Sequence, residues 1–407
     1  MNSLSFLREN TPWLAAGFLM TFLSSFGQTF FISLFAGEIR EGFGLSHGDW
    51  GLIYSLGTAT SALAMVWVGG LTDRFRARNL GMIVLVLLTF SCLFMALNPV
   101  WWLLPLVIFL LRFTGQGMLS HIAVVSMARW FVASRGKALS VATLGFASGE
   151  ALLPLLFVSL MVFVDWHYLW MITALIACLG IPALRLLLRT ERTPQSISAQ
   201  SSSIGMLSRH WTRLNVMKHW LFWLMVPALL GPSAFNTAFF FHQVHFADVK
   251  DISHLQLVAY FPFYTGVSII AMILSGWALD KVGTPRLIPF MQIPMVIAFG
   301  IFAYASDGGA MFAGFLFLGL TSGFNTTLPA AFWAEFYGTR FIGSIKAMAA
   351  AIMVLGSAIG PGITGYAIDQ GVGIETQYLG VAAYFVMTTI LMTIGVLRAR
   401  PMLSTAP

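Results

Sequence analysis

Twelve apolar stretches of about 20 residues follow one another along this chain, each the length a helix needs to cross a hydrocarbon core of roughly 30 Å. They lie near 13–35, 48–71, 79–97, 101–130, 137–164 and 167–188, then near 219–246, 254–279, 286–305, 309–335, 342–368 and 376–398. The first is preceded only by Arg8 and lacks a small-residue cleavage pattern, so it reads as a span rather than a secretory signal. Apolar residues make up 58% of the chain and charged ones 9%, against about 45–50% and roughly 25% in soluble domains. That balance excludes a water-soluble enzyme, a disordered chain, a nucleic-acid reader and a disulfide scaffold. Cys92 and Cys178 both lie inside apolar runs and report nothing about redox compartment. The expected class is an all-α integral membrane protein with twelve transmembrane helices.

The basic residues orient it. With both termini inside, every Lys and Arg falls in an inner loop or tail except Arg40 and Lys250 outside and Arg112 within a span. Short-loop Lys/Arg bias sets orientation, so the formal charge of +7 is a topology signal rather than a mark of an anionic macromolecular partner. An inner cell membrane with both termini cytoplasmic is the expected location. From 190 to 217 the chain turns polar around the serine-rich run Gln195–Ser203, which reads as a flexible linker. It separates an N-terminal six-helix bundle (1–189) from a C-terminal one (218–407).

The two halves echo each other. Gly69-Gly70-Leu71-Thr72-Asp73-Arg74 follows the second stretch, and Gly276-Trp277-Ala278-Leu279-Asp280-Lys281 follows the eighth, 207 residues later. Ala128-Arg129-Trp130-Phe131 at the end of the fourth matches Ala334-Glu335-Phe336-Tyr337 at the end of the tenth, and Gly145 and Gly149 match Gly356 and Gly360. A six-helix unit is even, so its copy enters the membrane in the same direction; two parallel bundles result.

Gly69-x-Leu71-x-Asp73-Arg74 with Arg78 resembles the loop motif of the major facilitator superfamily, Arg76 standing where that family usually has glycine; the second copy has Gly283 there. Trp130-Phe131-x-x-x-Arg135-Gly136-x-Ala138, with Gly145, Gly149 and Pro154, resembles its monocarboxylate and oxalate–formate porter branch, although the eighth helix lacks the charged pair such porters often carry. The resemblance implies alternating access through a pathway lined by helices one, four, seven and ten. It also implies a latch in which Asp73 engages Arg129 and the start of helix eleven near Gly343. Arg74 belongs to the same turn, and Asp280 with Lys281 forms a weaker second latch. An ordinary charged turn obeying the inside rule is the alternative.

Ionisable groups at bilayer depth are costly, at least ~2.5–3.5 kcal/mol each on insertion scales, and need a reason. Arg112 in helix four and Glu150 in helix five are the clear cases. At 1.5 Å per residue their depths differ by about 6 Å. Three readings stand: a structural pair; Arg112 anchoring an anionic substrate with Glu150 tuning it or carrying a proton; and separate roles. Gln28, Gln116, Asn236 and Asn325 are the stronger candidates for a polar pathway lining; Tyr54, Tyr260 and Tyr264 offer phenol donors, and His121 a proton relay, each with simple packing as the alternative. Glycines four apart in helices five and eleven suit close packing, a hinge, or both. His242, His245, Asp248, Asp251 and His254 cluster at the outer end of helix seven, where a solvated rim is the default over metal or pH sensing.

The sequence therefore predicts a secondary transporter of a small organic anion, foremost a monocarboxylate, with proton symport left open. It is expected to act as a monomer in the lipid bilayer, without cofactor, metal or nucleic acid. Efflux of drugs or amphipathic metabolites through an adaptable Met- and aromatic-lined pocket is the rival. No Walker loop, H-E-x-x-H, nucleophile elbow or C-x-x-C speaks for an enzyme.

Overall fold

The computed structural model describes residues 3–131, 134–190 and 204–403, and the side chains of Ser3, Leu4, Ser5, Asp73 and Arg135 lie outside that description. Among the described residues, eleven helices are long and apolar enough to cross a membrane, and a bent pair makes a twelfth. We number them α1 (Thr11–Gly27 and Thr29–Phe43, bent by 48°), α2 (His47–Val68), α3 (Ala77–Leu97), α4 (Trp101–Trp130), α5 (Gly136–Met161) and α6 (Trp166–Leu187). The second set is α7 (Trp220–Phe241), α8 (His254–Val282), α9 (Thr284–Tyr304), α10 (Gly308–Tyr337), α11 (Ser344–Asp369) and α12 (Ile374–Met402). Two spans differ from expectation. Helix α1 is longer and broken, and α7 stops at Phe241, with Gln243–Val249 forming a separate short helix.

The chain divides into two compact units, Met1–Ala199 with Phe240–His245, and Gln200–Phe239 with Phe246–Pro407. Residues 240–245 join the first unit because they bond to α1. Gln243 Nε2 donates to Ser33 Oγ (2.7 Å) and Phe30 O (3.3 Å), and Ser33 Oγ donates to Phe240 O (2.7 Å). Residues 191–203, which include all of the expected linker's serine run, lie outside the described residues.

In the first unit, Phe31 packs on Phe157 (centroids 4.8 Å) and Trp170 (5.5 Å), which joins α1, α5 and α6. Such edge-on pairs contribute beyond their buried area. Lipid is as apolar as leucine, so close backbone approach through small residues carries much of the remaining association. A Cβ on Gly145 would meet Phe18 O at 2.2 Å, and one on Gly149 would meet Ser25 Oγ at 2.0 Å. In the second unit the matching glycines do the same against α7: Gly356 faces Leu230 O at 2.6 Å and Gly360 faces Ala234 O at 2.2 Å. The packing role of both glycine pairs is thus built twice. Elsewhere in this unit Phe302 stacks on Phe239 (4.8 Å) and meets Phe315 edge-on (5.3 Å).

The two repeated loops turn differently. Gly283 ends α8 at φ +84°, a conformation that favours glycine, whereas Arg76 is extended at φ −65°. The first loop turns instead through one helical turn, Leu71–Arg74, closed by an extended Phe75. That is how it dispenses with the usual glycine.

Candidate functional site

The polar centre of the first unit forms where two helices give up regular winding. Ser24–Gly27 tightens to a 3₁₀ turn and Gln28 is extended (φ −88°, ψ 154°), which breaks α1. Opposite, α4 winds as a π-helix over Arg112–Leu119; such wide turns recur at functional sites. The backbones touch: a Cβ on Gly27 would lie 2.1 Å from Leu111 O, and one on Gly115 would lie 2.7 Å from Gly27 Cα. Only glycine on both sides permits this crossing.

The break exposes a carbonyl. In an unbroken helix Gly27 O would take the N–H of Phe31, but that N–H bonds to Gln28 O (3.2 Å). Arg112 fills the vacancy, since its Nη1 donates to Gly27 O (3.2 Å) and to Thr29 Oγ1 (3.3 Å). Its guanidinium carbon stands 5.4 Å from the Tyr54 ring centre, a cation–π distance. Thr29 Oγ1 and the Tyr54 hydroxyl share a 2.5 Å hydrogen bond. Arg112 is 1% exposed and Tyr54 fully buried, and Arg112 Nε has no hydrogen-bond partner. Arginine stays protonated, so a buried cation here meets a carbonyl, a hydroxyl and an aromatic face.

Glu150 follows Gly149, whose contact with Ser25 places that turn of α5 against α1 close to the break, and it is half-buried. Gln28 lies at the break itself and Gln116 in the π-turn. Ser25 Oγ and Thr58 Oγ1 are buried without partners. Thr21 serves packing, its hydroxyl bonding to Ala142 O of α5 (2.5 Å). His121 stands apart, with Nε2 3.7 Å from where a Cβ on Gly69 would be, at the loop end of α2.

In the second unit, the Tyr264 hydroxyl bonds to Ser322 Oγ (2.7 Å), Tyr260 reaches Gly308 O (3.3 Å), and Asn236 Oδ1 is buried without a partner. Asn325 is half-buried on α10. At the offset of the helix-four and helix-ten exits, 206 residues, Leu318 stands where Arg112 stands. The cation is therefore an addition to one copy, and so is the π-turn, since α10 is regular there.

At the loop motif, Arg129 Nη1 donates to Thr72 O (2.7 Å) while Arg74 is exposed. The expected partner carboxylate, Asp73, lies outside the described side chains. Asp280 is exposed and Lys281 Nζ sits 4.2 Å from the Trp277 ring centre. Of the histidines that follow α7, His242 and His245 meet His47 (centroids 6.1 and 4.3 Å), while His254 begins α8, whose first turn Ser253 caps.

Sequence reasoning missed Gly27 and Thr29, the groups Arg112 holds. Glycine and threonine are frequent in apolar helices, and only the facing Gly115 singles them out.

The sequence profile of the Major Facilitator Superfamily matches residues 17–361. A crystal structure of a bacterial homologue of the human lysosomal transporter Spinster, inward-facing and unoccupied, is similar at a TM-score of 0.71 and 16% identity, covering 98% of this chain and 99% of that one. The crystal structure of the nucleoside transporter NupG is similar at 0.71 and 16%, covering 97% and 99%. At such identities these likenesses show the fold alone. No curated protein matches the sequence. With its profile match spanning most of the chain, this protein belongs to the major facilitator superfamily.

Proposed function

We propose that this transporter is a secondary active carrier of a small organic anion, a monocarboxylate foremost, and that Arg112 is the anchor for the anionic group. The observation that carries the reading is a buried guanidinium whose hydrogen-bond partners are neutral and whose Nε is unfilled. A carboxylate accepts two parallel bonds from such a fork, and it also supplies a counter-charge. Tyr54 and Thr29, already bonded to each other, hold the ring and hydroxyl beside that position. Gln28 and Gln116, with Asn236, Asn325 and Tyr264 from the second unit, supply neutral contacts along the pathway. Glu150 carries a proton with the anion. Asp73, Arg74 and Arg129, with Asp280 and Lys281, act as latches between alternating states. The Lys/Arg bias of the loops supports a carrier with both termini in the cytoplasm, acting as a monomer in an inner membrane.

Uptake into liposomes containing the purified protein tests this with acetate, lactate, pyruvate and oxalate, and a cationic dye as control. Arg112→Lys keeps the charge but loses the fork. A lost charge-assisted hydrogen bond weakens apparent affinity about 10–150-fold. Full carboxylate uptake by Arg112→Lys would refute the bidentate anchor. Dye uptake that survives Arg112→Ala, with no carboxylate uptake by either protein, would overturn the substrate class.

A further inference from the structure

A second cationic site lies in the second unit, between the described end of the linker and the start of α7. From Ile204 the chain folds into a tight turn, with Gly205 N bonded to Arg209 O (3.1 Å) and Arg209 N bonded to Met206 O (3.3 Å). Leu207 and Ser208 both adopt left-handed backbone (φ 57° and 52°), which L residues disfavour. The turn is pinned on both flanks. A Cβ on Gly205 would meet the Tyr337 carbonyl carbon at 2.5 Å, and Trp211 Nε1 donates to Met206 O (3.0 Å).

Beyond the turn, Thr212 caps the short helix Arg213–Met217, and Lys218 and His219 follow. A cavity of about 260 Å³ results, lined by Arg209, His210, Trp211, Asn215, Lys218 and His219. Its lining holds two permanent cations, two imidazoles, an amide and an indole, and no carboxylate. His210 Nδ1 is buried without a hydrogen-bond partner. His219 Nδ1 pairs with the Tyr337 hydroxyl (3.2 Å). Donors of this kind converging on one space suit a tetrahedral oxyanion.

The rim indicates what carries that oxyanion. Leu214 is 68% exposed and Trp223 58%, with Leu207, Met217 and Trp220 also exposed. Indoles and leucines next to a membrane-spanning helix belong at the headgroup boundary, and juxtamembrane Lys/Arg pockets attract anionic headgroups. We propose that this cavity binds the phosphate group of an anionic phospholipid, with Arg209 and Lys218 meeting the phosphate oxygens and the apolar rim facing the acyl chains. A soluble phosphate shares the chemistry but makes no use of the rim.

Delipidated full-length protein in detergent is titrated with short-chain phosphatidylglycerol, short-chain phosphatidylcholine and inorganic phosphate, with bound molecules counted by native mass spectrometry. Arg209→Gln with Lys218→Gln tests the site, and Arg286→Gln with Arg398→Gln, both exposed elsewhere, controls for net charge. Phosphatidylglycerol is expected to bind well ahead of phosphatidylcholine, and the site pair to lose about 30-fold in affinity while the control pair changes little. Equal losses in both pairs, or equal binding of the two phospholipids, would overturn the proposal. Binding of inorganic phosphate without phosphatidylglycerol would overturn the lipid assignment and leave a soluble phosphate as the ligand.

Discussion

The contact between Gly149 and Ser25 makes a quantitative prediction about how α1 and α5 pack. Gly149→Ala would put a Cβ 2.0 Å from Ser25 Oγ and 3.0 Å from Ser25 Cβ. Ordinary contact begins near 3.4 Å, so the hydroxyl must withdraw by well over an ångström in a packed interface. Overpacking of this kind costs about 1–3 kcal/mol, partly offset by alanine's helix propensity of up to ~1 kcal/mol over glycine. The net loss is therefore about 1–2 kcal/mol. Ser25 Oγ is buried without a partner, so Ser25→Ala breaks no hydrogen bond and removes an unsatisfied hydroxyl. It should be neutral or mildly stabilising. Removing Oγ relaxes the nearest contact from 2.0 to 3.0 Å, so the double variant should recover about 1 kcal/mol, a favourable coupling of the size expected for touching residues. Thermal midpoints of the four detergent-purified proteins read this out at about 2–4 °C per kcal/mol. Gly360→Ala in the second unit is the contrast, because its Cβ would strike the backbone of Ala234 at 2.2 Å and Ala234→Gly leaves that carbonyl in place. Additive midpoints for Gly149→Ala and Ser25→Ala would refute the close-approach account of this interface.

The repeated loops yield a second prediction. Gly283→Ala meets only Pro285 Cδ at 3.9 Å, so its cost is purely conformational, about 1–3 kcal/mol for that backbone region. Arg76→Gly, at φ −65°, should gain nothing and lose about 0.4–1 kcal/mol through the freer unfolded chain; thermal midpoints check both. The third concerns pH. Burial holds His219 below the ordinary imidazole range, so between its folded and unfolded values the unfolded state binds more protons and stability rises with pH. The contribution is complete above about 6.5 and is lost as pH falls through the depressed folded value. His219→Gln should therefore shrink the difference between midpoints at pH 7.5 and pH 5.5, measured without added phospholipid; an unchanged difference would remove His219 from the account.

What was legible in the sequence follows from what each feature depends on. Helix α3, expected near 79–97 and found at Ala77–Leu97, is read from an uninterrupted apolar run because spanning the bilayer is a local requirement. The glycine pairs of helices five and eleven are legible because repetition makes them visible twice. The break at Gln28 and the π-turn after Leu111 have no local cause. They arise where Gly27 and Gly115, 88 residues apart, bring two backbones together, and one glycine alone carries no such information. The depth arithmetic that compared Arg112 with Glu150 assumed regular winding through a stretch that winds as a π-turn, and depth alone could not point to Gly27 and Thr29, the groups the guanidinium meets.

Those departures are coupled to the chemistry. The break in α1 strands one carbonyl in a buried place, and an unsatisfied buried acceptor costs about 1–3 kcal/mol. Arg112 removes that cost and in turn gains two acceptors for a charge the bilayer would otherwise penalise. Neither the break nor the cation is well tolerated alone. Arg112→Met should therefore harm the apo protein through an orphaned Gly27 carbonyl even as it relieves a buried charge. The two effects oppose each other and leave stability changed by no more than about 2 kcal/mol, whereas a site that needs the guanidinium for its anion loses transport outright. Folded, inactive protein is what the anchor reading requires of that variant, and an unfolded one would make Arg112 a structural plug for the α1 break.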